Sequence, residues 1–433
     1  MTALAQRPEV PTTVSVDEPT PGELFSTWQR IRLILVLGTL IAVGPLTIDM
    51  YLPALPAISD DLQTTAAGVQ LTLTGTLAGL AIGQLIIGPL SDVWGRRRPL
   101  LVGTGLHIIA SLLCVIAPNI AVLGVLRIVQ GLGAAAAAVI AMAVVRDLFS
   151  GLAFARILSR LLLVMGVAPV LAPTLGSAML NWTHWRGVFA ALAGLGLALI
   201  AVTVFGLPET LPPHRRRPAT VTDTVRVYGM LLRDRTYIGL VLVSGFAMAS
   251  LFAYVSGSSF VMQDQYGLDE QEFGIAFGAG AAGMITATQL NVRLLRRFAP
   301  QQILLAALIS GSVAGLVLLG FAVTEVGGLT GILIPLWVVL ATAGFALPNA
   351  PAVALAGHGE AAGTASALLG AMQFGIGALA APVVGVLGTG SSAMATVILA
   401  GMLLAVLSLL TIARAHRLPA PGAQQAVLVA PPH

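Results

Sequence analysis

The sequence contains no lysine: all 22 of its basic residues are arginine. With its richness in alanine, this reads as base composition rather than chemistry. Charge of either sign is scarce, at 9% of residues, where soluble domains carry about 25%. That scarcity excludes an ordinary solvated globular surface. The single cysteine, Cys114, excludes an intrachain disulfide and lies in an apolar run, where it suits a small packing residue. Nowhere do His, Cys, Asp or Glu recur at metal-ligand spacing, and no glycine-rich phosphate loop or nucleophile–base pair is present. No metal, no cofactor and no enzyme activity are therefore expected. The net charge of +4 is no nucleic-acid signal either.

What the chain does have is hydrophobic length. Apolar residues make up 57% of its 433 positions, in twelve runs that begin at 32–55 and end at 392–413. Each run is close to the roughly 20 residues needed to cross a bilayer as a helix. The expected fold is an all-α integral membrane protein with twelve transmembrane helices in two six-helix halves. The proline-rich, polar start (1–27) is expected to be a disordered tail and not a signal peptide, since the first apolar run is too long. A six-helix half follows at 28–207, then a polar linker at 208–235 containing PETLPPHRRRP, a second half at 236–415, and another disordered tail at 416–433.

Arginine bias sets the expected orientation. With both termini in the cytoplasm, nineteen arginines flank the membrane on the inner side and only Arg186 on the outer, whereas Asp60, Asp61, Asp264, Asp269, Glu270, Glu272 and Glu325 fall outside.

The most distinctive stretch is GQLIIGPLSDVWGRRRPLLVG, Gly83 to Gly103. Gly88 and Gly95 bracket Asp92, and Arg96, Arg97 and Arg98 follow before Pro99 opens the next helix. The pattern G-x-x-x-D-x-x-G-R-R resembles the loop between the second and third spans of the major facilitator superfamily. After the eighth run, Asn291 to Pro300 (NVRLLRRFAP) holds the corresponding place. It keeps the arginines and has lost the acid and glycines, as in a decayed internal repeat. The resemblance implies a fold of two related halves, each built of inverted three-helix units. It also implies that Gly88, Asp92, Gly95, Arg96 and Arg97 form a cytoplasmic charge latch biasing the outward-open state.

Charged side chains deep in the membrane are costly and mark function by default. Two qualify, Asp49 and Arg127. Asp49 lies in PLTIDMYLPALPAI between Pro45, Pro53 and Pro56. A carboxyl in an intermittently wet apolar cavity can take up and release a proton. It can equally be a structural acid, paired with an arginine or capping a broken helix. The DMYLPALPAI segment resembles the first span of the bicyclomycin/chloramphenicol-resistance branch of drug:proton antiporters. Arg127 and Gln130 stand in LRIVQGLGAAAAA, which resembles the fourth-span motif of proton-driven facilitators. There Arg127 either couples to the carboxylate or serves as a fixed packing hub. Gly131 and Gly133 suit close helix approach.

In the fifth run, Gly166, Pro169, Pro173 and Gly176 resemble the antiporter motif, with Ala172-Pro173 in place of the usual Gly-Pro. His107, alone in the third run, reads as a packing residue or a proton relay. Gln130 in the fourth run, Phe246, Phe252 and Tyr254 in the seventh, and Met372, Gln373 and Phe374 in the eleventh are candidate lining for a drug cavity; ordinary helix packing is an equal reading.

The resemblance thus implies a multidrug efflux transporter of a bacterial cytoplasmic (inner) membrane. It would exchange small amphipathic drugs for protons, work as a monomer in the lipid bilayer and bind no nucleic acid. A proton-coupled carrier of an endogenous metabolite shares these features.

Overall fold

The structure, a computed structural model, describes Gly22 and residues 25–216, 221–358 and 362–413. Apart from Gly22 and residues 25–27, the two expected tails lie outside the described residues, as do Arg217, Arg414 and Arg417, three of the nineteen inner-side arginines. Among the described residues, twelve helical stretches are long and apolar enough to cross a membrane. The first is interrupted: α1 (Thr27–Asp49) and α2 (Leu55–Asp61) flank a 3₁₀ turn at Leu52–Ala54. The others are α3 (Ala66–Trp94), α4 (Arg97–Val115), α5 (Ile120–Leu148), α6 (Gly151–Leu180) and α7 (Trp185–Gly206). Beyond the linker come α9 (Arg235–Ser259), α10 (Glu270–Leu294), α11 (Pro300–Thr324), α12 (Gly328–Ala356), α13 (Ala362–Leu387) and α14 (Ser391–Ser408). Within the linker lies a short α8 (Val221–Leu231).

Local chemistry sets the ends of these helices. Ser26 and Gln29 form a capping box at α1, and Asp269 and Glu272 form one at α10. Asn119 Oδ1 accepts from Val122 N at 3.0 Å to start α5, and Asp234 Oδ1 accepts from Thr236 N at 2.8 Å to start α9. Pro53 and Pro56 lack the amides that would carry α1 onward, which explains the break after Asp49.

The two halves repeat one packing plan. In the first, α3 packs on α5, α4 on α5 and α7, and α1 on α5, α6 and α7. In the second, α10 packs on α12, α11 on α12 and α14, and α9 on α12, α13 and α14. A close glycine crossing matches as well. A Cβ on Gly131 of α5 would overlap the Thr76 carbonyl of α3, and one on Gly344 of α12 would overlap the Met284 carbonyl of α10.

The halves meet mainly along α3 with α13 and α6 with α10. Their direct hydrogen bonds gather at the end of the bundle away from the Arg96 loop. Ser259 Oγ donates to Leu52 O (2.7 Å) and Gln263 Nε2 to Pro53 O (3.1 Å). Gln70 Nε2 donates to Ser256 O (3.1 Å), and Gln271 Nε2 to Asn181 Oδ1 (3.1 Å). Nearer the middle, Thr74 Oγ1 donates to Ala378 O (3.0 Å). At the arginine end Tyr228 Oη of the linker helix α8 reaches Leu85 O at a longer 3.5 Å. At the proline break the carbonyls of Leu52 and Pro53 accept donors from the opposite half, Leu52 O in addition to the amide of Leu55.

Candidate functional site

At the arginine end, Arg96 is the hub. It is 7% exposed although it stands in a loop. Its Nη1 donates to Asp92 Oδ1 (2.6 Å) and Ser91 Oγ (2.7 Å), and its Nε and Nη2 fork onto Asp147 at 2.8 and 3.1 Å. Burial works against the guanidinium's charge, but its bonds to Asp147 and Asp92 outweigh it and raise the Arg96 pKa. Thr210 Oγ1 also donates to Asp147, at 3.0 Å. The Glu209 carboxylate accepts from the backbone amides of Arg96 (2.8 Å) and Arg97 (3.2 Å), so it sits at the positive end of α4. Gly95 has φ +85°, and a Cβ there would meet Glu209 Oε2 at 2.5 Å. Only glycine fits. Nothing lies within 4 Å of the place a Gly88 Cβ would take. Arg97 Nη2 reaches back to Val204 O at 2.7 Å and, with Arg32 Nη2 on Gly206 O at 3.0 Å, closes the end of α7.

The motif residues therefore meet, but with Asp147 and Glu209, which the sequence reading did not single out. Asp147 ends the fourth run, beside Arg146, and Glu209 belongs to PETL. Acids at the arginine-rich end were the signal available.

In the membrane, Asp49 is the last residue of α1 and 6% exposed. Among the described residues its carboxyl accepts no hydrogen bond and forms no ion pair. Gly176 of α6 packs onto the adjoining Met50 carbonyl, which a Cβ would overlap. That contact brings the fifth-span motif against the break. Pro169 and Pro173 lie within a helix that continues to Leu180, and Gly166 faces Ile285 of α10, 3.4 Å from where its Cβ would stand.

Arg127 is fully buried but does not pair with Asp49. Its Nη1 donates to Thr47 O (3.0 Å) and Gln130 Oε1 (2.6 Å), while Nε and Nη2 find no partner among the described residues. The guanidinium lies over the Tyr51 ring at 4.4 Å and near Phe189 at 5.5 Å, so cation–π contacts hold part of its charge. Gln130 Nε2 passes the chain to Ser111 Oγ at 2.7 Å, and Ser111 donates to His107 O at 2.7 Å. His107 Nδ1 lies 3.3 Å from Gln130 O. His107 and Gln130 thus belong to the Arg127 network inside the first half and face no open space.

On the other half, Phe252 and Tyr254 are buried, while Phe246, Met372, Gln373 and Phe374 are half-buried. Phe252 and Phe374 approach with centroids 6.3 Å apart, and Gln373 Nε2 donates to Ser244 Oγ at 2.8 Å, so these residues join α9 to α13. Tyr254 stacks on Phe277 at 4.8 Å. No group of three or more His, Cys, Asp or Glu suited to a metal occurs among the described residues.

The Major Facilitator Superfamily profile matches residues 35–382. The chain belongs to the Major Facilitator Superfamily. It is a multi-pass membrane transporter of small substrates, and its family and fold are not those of an enzyme. It is 39% identical over 360 residues to an uncharacterized MFS-type transporter, YdgK, of Bacillus subtilis, covering 83% of this chain and 89% of the relative. It is 32% identical to a bicyclomycin resistance protein homolog of Haemophilus influenzae, covering 80% and 87%. In fold it is similar to a partially occluded inward-open structure of the xylose transporter XylE of Escherichia coli. The TM-score there is 0.71, at 12% identity, covering 89% of this chain and 98% of that one.

Proposed function

We propose that this superfamily member is a multidrug exporter that exchanges amphipathic drugs for protons by alternating access. The observation that carries the reading is Asp49: a carboxyl buried at a helix break within a membrane span, beside the seam between the halves, without a pairing cation. Such a group is free to exchange a proton, and an isolated carboxylate favours a cationic or polarisable guest. The relative named for bicyclomycin resistance supports the drug class.

The orientation follows from the arginines, with both termini in the cytoplasm of a bacterial inner membrane. The closed clasp of Ser259 and Gln263 on the first span then seals the outer side, and the drug enters from within. Drug arrival favours loss of the proton from Asp49, the halves rock, and the drug leaves outside. A proton entering from outside resets the carrier. The Arg96–Asp92–Asp147 cluster holds α3, α4 and α5 as one body during the rocking. One charge crossing 100 mV supplies about 2.3 kcal/mol, a gradient of roughly fiftyfold.

Inverted vesicles with an imposed pH gradient test this. Chloramphenicol, a fluoroquinolone and a lipophilic cation are expected to dissipate the gradient with wild type and not with Asp49→Asn. Equal dissipation by both proteins would leave Asp49 structural, and none by either would turn the reading to a metabolite carrier.

A further inference from the structure

Two buried polar groups, one in each half, have no hydrogen-bond partner among the described residues. One is the Asp49 carboxyl. The other is the Tyr254 hydroxyl, which is buried and makes no hydrogen bond among the described residues. An unmet hydroxyl in a helix interior is costly, and natural structures seldom keep one without reason.

The clasp sets their relation. Ser259 of α9 bonds Leu52 O, and α1 and α9 both start at the arginine end, so they run in the same direction. Stepping back from Leu52 by three residues reaches Asp49. Stepping back from Ser259 by five, about 7.5 Å along a helix, reaches Tyr254. Both lie beneath the seal, toward the membrane centre, and Tyr254 stands within electrostatic reach of Asp49. The Tyr254 ring is fixed by its stack on Phe277, 4.8 Å away with planes 19° apart, and Phe277 packs in turn on Phe273. The other charged or titratable groups nearby are committed elsewhere. Arg127 of α5 bonds Thr47 O and Gln130, and the Tyr51 hydroxyl meets Thr72. From α6 the neighbour is Gly176.

We propose that the Tyr254 hydroxyl is the opposite half's hydrogen-bond donor to the Asp49 carboxylate, joining the state of Asp49 to the seal between the halves. Tyr254 is then a positioning residue. It donates to the ionised carboxylate and has no such role once Asp49 carries the proton, so loading Asp49 removes one tie across the seam just below the Ser259 and Gln263 clasp. The inference rests on the reading of Asp49 as the coupling acid.

Binding of tetraphenylphosphonium to the purified full-length protein, measured against pH, tests it. Asp49→Asn is expected to flatten the wild-type profile. Tyr254→Phe keeps the ring and its stack and loses only the donor. It is expected to move the binding midpoint up by about one pH unit, a tenfold change in proton concentration. In the double variant the profile matches Asp49→Asn alone, because the two residues act as one unit. Phe277→Leu, which loosens the ring without touching the hydroxyl, moves the midpoint the same way by less. A Tyr254→Phe profile superimposed on wild type, with Asp49→Asn flat, overturns the inference and leaves Asp49 in place. A profile flat in wild type, or unchanged in Asp49→Asn, overturns both.

Discussion

The two halves share a scaffold and divide the chemistry. Both close an equivalent crossing on a glycine, Gly131 against Thr76 O in the first half and Gly344 against Met284 O in the second. The buried polar inventory differs. The first half buries Asp49, Arg96, His107 and Arg127, whereas among the described residues the second buries polar side chains such as Ser244, Ser250, Ser259, Asn291, Thr342 and Asn349 and no acid or arginine. Where α5 carries a guanidinium threaded to Gln130 and Ser111, α12 carries Asn349, bonded to Asn291 of α10 at 2.7 Å. A duplicated frame can thus keep its packing rule while one copy takes the charge and the other supplies neutral donors and acceptors. Neutral hydroxyls and amides stay satisfied through a rearrangement at lower cost than a buried charge.

The shared packing rule should break with the largest effect. Gly131→Val and Gly344→Val both push a side chain into backbone carbonyls, which cannot rotate away. At ~1–3 kcal/mol or more for overpacking, each is expected to lose most of its monodisperse protein in size-exclusion chromatography. Survival of only one would show that the halves do not share the constraint. The division of charge should break next. Arg127→Leu is expected to reduce drug-driven proton flux in vesicles to background, while Asn349→Leu retains most of the flux and lowers thermal stability by ~1–3 kcal/mol through the unmet Asn291. Equal flux in the two variants would end the contrast. Asp147→Asn keeps an acceptor for Arg96 but loses the charge, and a two- to fivefold fall in transport rate at equal expression is expected, on the order of 0.5–1 kcal/mol. Smallest should be Gln373→Leu, a change of about twofold in drug affinity by fluorescence titration, since it removes one neutral hydrogen bond to Ser244.

Sequence alone exposed the parts of this architecture that depend on composition and period. The twelve spans, the break around Asp49 and the glycines of the Arg96 loop announce themselves through hydropathy, proline and spacing. What stayed hidden is what folding brings together from afar. Asp147 and Arg96 are neighbours only because α4 and α5 pack. Glu209 reaches the start of α4 because the chain returns after α7. The cradle of Tyr51 and Phe189 under Arg127 was invisible for the same reason, so an arginine near an acid suggested an ion pair that this conformation does not form. Polar residues such as Gln130 looked like cavity lining because hydropathy does not say which face of a helix is turned inward.

The seal between the halves has a consequence for heredity. Its acceptors on the first span, Leu52 O and Pro53 O, belong to the main chain, and no codon change at those positions deletes a carbonyl. Replacing Pro56 would restore an amide four residues beyond Leu52 that could draw this carbonyl into the helix and away from Ser259, so the inheritance of the lock rests in part on a ring-shaped residue and not only on the groups that do the binding. Lineages that loosen or tighten the outer door are therefore expected to record their history on the α9 side, at Ser259 and Gln263, and to leave Pro56 of the first span unchanged.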